Sequence, residues 1–283
     1  MTWALPSPPL ARLAAAESLL LGCDFDGTLA PIEREPSDAR LPRGARESLC
    51  RLASLPGTTV AILSGRTLTD LTPIAAIPNA WLVGYHGAEI RRPDAEQMVR
   101  TYPGAGEFAI PEHLSRRILE FACRTPGLRI ELKPAGVALH WRGDDSAGPP
   151  EGIDALARAL QTMSGPRTRL VRGRRVLEVS AIGADKGWAL AAVCREVQPP
   201  PAMVCYLGDD LTDEDAFHAI RPDGIGILVA DDTSCDERPG PTAADFTLPG
   251  PGAVAAFLRE LARLRSRQRR ERTREAAAPW SGE

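Results

Sequence analysis

Short apolar runs alternate with segments of helical periodicity along this chain, and few folds accommodate such an alternation. Residues 44–55, 186–197 and 214–220 carry apolar side chains at helical spacing. The apolar runs around them are SLLLGCDFD, TTVAILSG, AWLVGYHG, MVCYLGDD, GIGILVAD and ADFTLPG. Strands that alternate with helices form βαβ units, whose strands run parallel. The sequence therefore predicts an α/β protein with a mostly parallel sheet.

One region, residues 104–180, breaks this alternation. It reads as a helix, two strands, a helix and two more strands, with the tight links KPAG and RGRR between the paired strands. Strands joined by such links pair antiparallel. We therefore predict an inserted α+β domain of αββαββ order between residues 1–103 and 181–262. Clefts between an inserted domain and its host are favoured places for ligands.

The end of the chain, residues 263–283, carries seven arginines and almost no apolar periodicity. Short charge runs are usually exposed faces, so we expect a solvated, frayed helical extension rather than a nucleic-acid arm. The formal net charge of -3 gives the whole molecule no attraction for nucleic acid or acidic membranes. Any affinity for anions must be local.

Cysteine usage and the apolar runs indicate a cytoplasmic protein. The six cysteines lie far apart without a C-x-x-C pair, which favours a reducing compartment. The first residues lack a basic segment and are interrupted by prolines, so they make a poor signal peptide. No run reaches the roughly 20 apolar residues of a membrane helix. We expect no membrane partner.

Two aspartates end the first apolar run, in the segment GCDFDGT. Side chains alternate along a strand, so Asp24 and Asp26 are expected on one side while Cys23 and Phe25 face the core. Carboxylates this close repel each other unless a cation bridges them or one keeps its proton. The alternative is an ordinary turn, because Asp, Gly and Thr are common where strands end.

Other strands also end in polar groups: one runs into Ser64, Gly65 and Arg66, and another into GDDLTDED. Ligands of open α/β sheets bind beyond the carboxyl ends of the strands. Hard oxygen donors without histidine or thiol partners suit Mg²⁺. The acids expected to converge there are Asp24, Asp26, Asp209 and Asp210, with Asp213, Glu214 and Asp215 close behind.

Helix capping offers a simpler explanation for part of GDDLTDED. Thr212 as N-cap with Asp215 in a capping box would account for Asp215 and for Glu214. It leaves Asp209 unexplained, because that residue follows the strand directly.

A lysine, Lys186, stands at the start of a predicted helix, where the positive end of the helix dipole disfavours it. Such a lysine favours an anion nearby. Together with backbone N–H groups and the hydroxyls of Thr28 and Ser64, it can hold a phosphoryl group. The alternative is a surface lysine beside Asp185.

The order DFDGTLAP, SGRTLTDL, DKG, GDDLTDED resembles the haloacid-dehalogenase (HAD) superfamily of phosphatases. The last motif together with GYHGAEI resembles its trehalose-6-phosphate phosphatase branch, over about residues 20 to 260. The resemblance implies a HAD-like Rossmannoid core with an inserted cap, and dependence on Mg²⁺. It implies hydrolysis of trehalose 6-phosphate, the last step of trehalose biosynthesis, through an aspartyl-phosphate. We expect the protein to be a monomer.

The resemblance also implies roles for residues of the core. Asp24 would be the nucleophile, Asp26 would act as acid and then as base, and Lys186 would neutralise the phosphate. Mg²⁺ would be held by the Asp24 carboxylate, the Asp26 main-chain carbonyl and Asp209, with Asp210 or Asp213 orienting its waters. The phosphate would be bound by Thr28, Ser64, Gly65 and Lys186.

In the cap, the family's E-x-K and H-x-R patterns match residues on two predicted strands. The substrate contacts implied in this way, with two from the core, are Glu131, Lys133, His140, Arg142 and Glu178, together with Arg66 and His86. The alternative is a solvated sheet face with cross-strand ion pairs.

Several other functions share these motifs. A phosphatase for sucrose 6-phosphate or mannosyl-3-phosphoglycerate, or a phosphomannomutase, would carry the same aspartate pair and the same type of cap. A non-catalytic sugar-phosphate sensor would be expected to have lost Asp24, Asp26 or Lys186, and all three are present.

Overall fold

The structure is a computed structural model, and its chain forms two compact units, residues 1–100 with 185–283, and residues 101–184. The residues it describes are 8–33, 35–94, 100–101, 110–133, 136–141, 149–165, 168–173, 175–181, 185–230 and 242–276. The helices are α1 (Leu10–Ala15), α2 (Arg43–Ala53), α3 (Leu68–Ala75), α4 (Glu112–Arg124), α5 (Ile153–Met163), α6 (Lys186–Glu196), α7 (Glu214–Ala219) and α8 (Gly250–Ala276). The strands are β1 (Leu19–Asp24), β2 (Thr58–Leu63), β3 (Ala80–Gly84), β4 (Glu89–Arg91), β5 (Arg100–Thr101), β6 (Leu128–Lys133), β7 (Gly136–Trp141), β8 (Thr168–Gly173), β9 (Val176–Ala181), β10 (Met203–Gly208), β11 (Ile225–Ala230) and β12 (Phe246–Pro249).

The first unit is built on an 8-stranded sheet in the order β12-β11-β10-β1-β2-β3-β4-β5. The strands from β12 to β3 pair in parallel, as predicted. β4 pairs antiparallel with β3, which the sequence did not indicate. Because β1 lies between β2 and β10, its carboxyl end has a strand end on either side.

Apolar side chains pack on both faces of this sheet. β1 is buried along its whole length, with Leu19, Leu21 and Cys23 in one cluster and Leu20 in the other. Burying one leucine stabilises the fold by about 1.5–3 kcal/mol, so the burial of β1 holds in place the strand that ends in Asp24. Gly22 faces Tyr206, and a Cβ there would lie 2.8 Å from the ring. The glycine thus lets the tyrosine pack directly against β1.

The second unit has the predicted αββαββ order, with a 4-stranded sheet β6-β7-β9-β8. Its strands pair antiparallel throughout. Leu114 and Ile118 of α4 and Leu156 and Leu160 of α5 are buried. Leu139 of β7 is buried too, so helices and sheet share an apolar core.

Residues 263–276 are helical, as expected for a helical extension, but the prediction that this segment is solvated and frayed is wrong at Arg265. α8 continues to Ala276, and Arg265 within it is 1% exposed. The guanidinium of Arg265 donates hydrogen bonds to the Thr58 hydroxyl and to main-chain carbonyls. These carbonyls belong to Leu13, Ala14, Ala16 and Gly57, at distances of 2.9, 3.2, 3.0 and 2.9 Å.

The reason for this difference is helix C-capping by side chains. The last carbonyls of a helix have no partner within that helix. Arg269 and Arg272, one and two turns after Arg265, donate to the carbonyls of Glu17 and Ala15. The arginine run therefore holds α1 against α8, and charge composition alone could not reveal those carbonyl partners.

Candidate active site

The carboxyl ends of β1, β2 and β10 meet at one edge of the sheet. Asp24 ends β1 and lies beside Leu63, the last residue of β2. On the other side, Asp209 follows Gly208, the last residue of β10. The parallel register of the three strands therefore brings their polar ends together, as the sequence predicted.

Lys186 begins α6, and its ammonium group points at two buried carboxylates. Nζ lies 2.6 Å from Asp24 Oδ1 and 2.7 Å from Asp213 Oδ1. Burial by itself lowers the pKa of Lys186, but Asp213 and Asp24 outweigh it and raise that pKa above its ordinary value. Asp185 caps the helix by accepting from the N–H of Trp188. Lys186 is thus a buried cation and not a surface lysine.

Asp213 is 0% exposed, and each of its oxygens accepts hydrogen bonds. Oδ1 accepts from Lys186 and from the Tyr206 hydroxyl, which lies 2.6 Å away. Oδ2 accepts the backbone N–H groups of Asp209 and Asp210, each at 3.0 Å. Asp213 therefore fixes both the lysine and the loop after β10.

The capping box in GDDLTDED is formed by Asp210 and Asp213. The predicted pair of Thr212 and Asp215 is wrong by two positions, because a 3-10 turn over residues 211–213 precedes α7. Glu214 accepts the N–H of Ala243 at 2.7 Å.

Asp209 accepts a hydrogen bond from the buried Thr28 hydroxyl at 2.9 Å. Gly27, at φ +86°, leaves the space that the Asp209 carboxylate fills. Burial and the neighbouring Asp213 raise the pKa of Asp209 to about 7. Burial also raises the pKa of Asp24 well above its usual range, although Lys186 acts in the opposite direction.

These carboxylates fit a divalent cation. Oxygens of Asp24, Asp209 and Asp213 lie within 4.8 Å of one another. Three carboxylates surround one ammonium group, that of Lys186, so negative charge is in excess. This excess favours the protonated forms of Asp24 and Asp209. Hard carboxylate oxygens in such excess suit Mg²⁺.

Asp26 lies just beyond the end of β1 and forms an ion pair with Arg66. Nε of Arg66 is 2.7 Å from Oδ2 of Asp26, and Nη2 is 2.6 Å from Oδ1. The sequence placed Arg66 among the substrate contacts and did not indicate this pairing. As expected, Cys23 and Phe25 on either side of Asp24 lie in the core.

The loop after β2 is held by the loop after β3. The Ser64 carbonyl accepts the N–H of His86, and the Arg66 carbonyl accepts the N–H of Tyr85. Tyr85 and His86 have φ of 49° and 51°, a left-handed conformation that is uncommon outside glycine. A Cβ on Gly65 would lie 2.7 Å from the His86 ring. His86 therefore packs directly on the predicted phosphate loop.

Three of the predicted cap contacts lie on one face of the cap sheet. Glu131 and Glu178 both pair with Ala138 of β7, and His140 Nε2 lies 2.7 Å from Glu131 Oε2. Lys133 ends β6, but its side chain lies outside the described residues, as does Arg142 entirely.

Sequence reasoning missed Tyr206. It lies within an apolar strand, where a tyrosine is an ordinary core residue, and its ring packs against Phe217 at 5.7 Å. The sequence holds no signal that its hydroxyl meets Asp213.

Comparison with known proteins shows the family to which this chain is similar. The chain is similar to the trehalose-phosphate phosphatase of Mycobacterium marinum, with 36% identity over 245 residues, which cover 84% of this chain and 60% of that protein. This chain thus spans 60% of the length of that curated relative.

Among the described residues, no helix has the length and apolar character of a membrane span.

Two solved structures share the architecture. The trehalose-6-phosphate phosphatase of Aspergillus fumigatus is 27% identical with a TM-score of 0.67, covering 92% of this chain and 99% of that one. The C-terminal domain of the Candida albicans trehalose-6-phosphate phosphatase is 22% identical with a TM-score of 0.75, covering 91% of this chain and 98% of that one. At this identity the likeness shows only that the fold is shared. The family profile described as Trehalose-phosphatase matches residues 23–251, which include every strand end of the site. The chain therefore belongs to the trehalose-phosphatase family, with a HAD-like fold.

Proposed function

We propose that this protein is a Mg²⁺-dependent phosphatase that hydrolyses trehalose 6-phosphate to trehalose and phosphate. The observation that carries the proposal is the buried carboxylate of Asp24, 2.6 Å from the ammonium group of Lys186, in a chain of the trehalose-phosphatase family. Localisation in the cytoplasm and a monomeric state stay predictions from the sequence.

Asp24 is assigned as the nucleophile. An oxygen of its carboxylate attacks the phosphorus, the new O–P bond forms, and the bond from phosphorus to the sugar oxygen breaks. A carboxylate approaching a phosphate dianion is repelled, and Lys186 offsets this repulsion in a buried place where its charge is little screened. The product of this step is an aspartyl-phosphate.

Asp26 is assigned to proton transfer. It gives its proton to the departing sugar oxygen, so that trehalose leaves as an alcohol. Water then attacks the phosphorus of the aspartyl-phosphate and loses a proton to Asp26, which returns to its starting state. The Asp24 carboxylate and inorganic phosphate are released.

The residues that would hold Mg²⁺ are the carboxylates of Asp24 and Asp209 and, by family resemblance, the main-chain carbonyl of Asp26. When bound, the ion supplies positive charge for the phosphate oxygens. Asp213 is not assigned as a metal ligand, because its oxygens already accept hydrogen bonds from Lys186, Tyr206 and two backbone N–H groups. We assign it to positioning Lys186 and the Asp209 loop.

For the phosphate we propose Thr28, Ser64, Gly65 and Lys186. The sugar is assigned to polar groups of the cap and to His86. Support comes from the shared face of the cap sheet that carries Glu131, His140 and Glu178. Lys133 and Arg142 complete the assigned set by family resemblance.

A panel of phosphate-release assays with Mg²⁺ tests the substrate. It compares trehalose 6-phosphate, sucrose 6-phosphate, glucose 6-phosphate and mannosyl-3-phosphoglycerate, with an Asp24→Asn preparation as the control for contaminating phosphatases. We expect trehalose 6-phosphate to be turned over fastest. Equal turnover of glucose 6-phosphate would remove the disaccharide assignment, and no turnover of any substrate would favour a sensor.

A further inference from the structure

The carboxyl group of Asp26 is held differently from that of Asp24. Asp24 is the last residue of β1, and its side chain is 7% exposed against the buried Lys186. Asp26 lies beyond the strand, at an isolated bridge to Ala30, and its side chain is 35% exposed. Strand packing therefore does not fix the orientation of the Asp26 carboxyl group, and another group must do so.

Arg66 meets both oxygens of Asp26 with two parallel N–H groups, at 2.7 and 2.6 Å. A planar guanidinium in this arrangement fixes the plane of the carboxylate as well as its distance. Each carboxylate oxygen has two lone-pair sites, and the fork occupies one on each. One site per oxygen remains for a proton.

Arg66 is itself well anchored. Its guanidinium carbon lies 5.7 Å from the centre of the Phe25 ring, which belongs to the buried core. Its backbone N–H donates to the Ser64 hydroxyl, and its carbonyl accepts the N–H of Tyr85. The side chain is 15% exposed, so it has little freedom to follow a moving partner.

We propose that Arg66 is a positioning residue that orients the carboxyl group of Asp26 for proton transfer, an inference that rests on the proposed function. The proton on Asp26 passes to the sugar oxygen as the P–O bond breaks, and water later returns a proton. Arg66 takes no part in either bond change. It acts through Asp26 and keeps the same carboxyl orientation in both steps.

The leaving group distinguishes this role from others. Trehalose leaves as an alkoxide unless it is protonated, whereas p-nitrophenolate leaves readily without a proton. The ratio kcat/KM covers the steps up to departure of the leaving group, so hydrolysis of the aspartyl-phosphate does not affect it. We expect Arg66→Met to lower kcat/KM for trehalose 6-phosphate by about 10- to 100-fold, and for p-nitrophenyl phosphate by less than about threefold.

A double-mutant cycle with Asp26→Asn then tests whether Arg66 acts through Asp26. We expect Arg66→Met to change kcat/KM for trehalose 6-phosphate by less than about twofold in the Asp26→Asn background. Arg66→Lys should fall between wild type and Arg66→Met, because an ammonium group cannot form the fork.

The matched control is Arg92→Met. Arg92 also lies over an aromatic ring, that of Trp81 at 5.8 Å, and pairs with an aspartate, Asp94, outside the site. We expect it to leave both substrates unaffected. Urea unfolding of every variant verifies that it is folded.

Three results would overturn the inference. An equal loss with both substrates would place Arg66 on the phosphate, and a loss that persists in the Asp26→Asn background would place it on the sugar. No loss with either substrate would leave it without a role. A wild-type protein that hydrolyses neither substrate would instead refute the proposed function and the inference with it, whereas an active wild type without this pattern refutes the inference alone.

Discussion

Lys186 Nζ lies 2.6 Å from Asp24 Oδ1, and both side chains are almost completely buried. The ammonium group is thus in contact with the assigned nucleophile. Asp213, at 2.7 Å, holds the lysine from its other side. Positive charge at the carboxyl end of β1 is therefore a fixed part of the fold.

Replacing this lysine should affect stability as well as activity. Lys186→Met leaves Asp24 and Asp213 buried without their cation, and breaking such a pair costs about 3–5 kcal/mol of unfolding free energy. Turnover should fall by at least about 10²-fold. Urea unfolding measures the first effect and phosphate release the second.

Arg43→Met is the matched control, because the Arg43 side chain is 92% exposed in its pair with Glu47. It should leave both the urea midpoint and the turnover unchanged. A Lys186→Met variant with the wild-type midpoint would contradict the account of a buried pair.

The stability of the metal-free protein should depend on pH through Asp209. Burial and Asp213 raise its pKa from an ordinary 3.8 to about 7, so the folded chain binds more protons than the unfolded chain between these values. The contribution of Asp209 is therefore complete below about pH 4 and is lost as the pH rises through about 7. Saturating Mg²⁺ should reduce this loss, because it favours the carboxylate.

Urea unfolding in chelator over a pH series checks this dependence. The unfolding free energy of wild type minus that of Asp209→Asn should fall as the pH rises. A difference that is constant or increases with pH would show that Asp209 is not held in a crowded, buried place.

Much of the fold and of the candidate site follows from local sequence. The apolar run before Asp24 predicts a buried strand, and the parallel pattern predicts that the strand ends meet. The cation at Lys186 was also indicated, because a lysine at a helix start needs an anion nearby. Each of these inferences depends on residues close together along the chain.

The remainder depends on contacts between distant segments. Three of the carbonyls that Arg265 contacts, those of Leu13, Ala14 and Ala16, lie about 250 residues earlier. No side-chain pattern marks a carbonyl that lacks a donor. No sequence pattern indicates the pairing of Arg66 with Asp26 or that of Tyr206 with Asp213 either. Such contacts join segments that are distant along the chain and close only in the folded protein.

Arg265 should be a main attachment of the N-terminal helix. Arg265→Met removes the donors to four buried or half-buried carbonyls, and we expect a loss of about 2–4 kcal/mol in unfolding free energy. Limited proteolysis should cut near α1 faster than in wild type. Arg267→Met on the same helix is the control, since Arg267 is 71% exposed in its pair with Glu271. Equal proteolysis of the two variants would contradict this attachment.

Tyr206→Phe removes one of the hydrogen bonds to the buried Asp213. A hydrogen bond to a charged group contributes about 1.5–3 kcal/mol, and the variant should lose stability of this order. In an Asp213→Asn background the same change should cost less, because the acceptor is no longer charged. Equal losses in both backgrounds would show that the hydroxyl acts through packing alone, and urea unfolding of the four proteins decides it.

Covalent trapping tests the central claim, that Asp24 carries the phosphoryl group. Wild type and Asp24→Asn are mixed with Mg²⁺ and trehalose 6-phosphate that is radiolabelled in its phosphate group, and the mixture is quenched in acid within one turnover. The labelled peptide is then identified by mass spectrometry. We predict label on Asp24 in wild type, and neither label nor turnover in Asp24→Asn. Full turnover by Asp24→Asn, or label on another residue, would contradict the account.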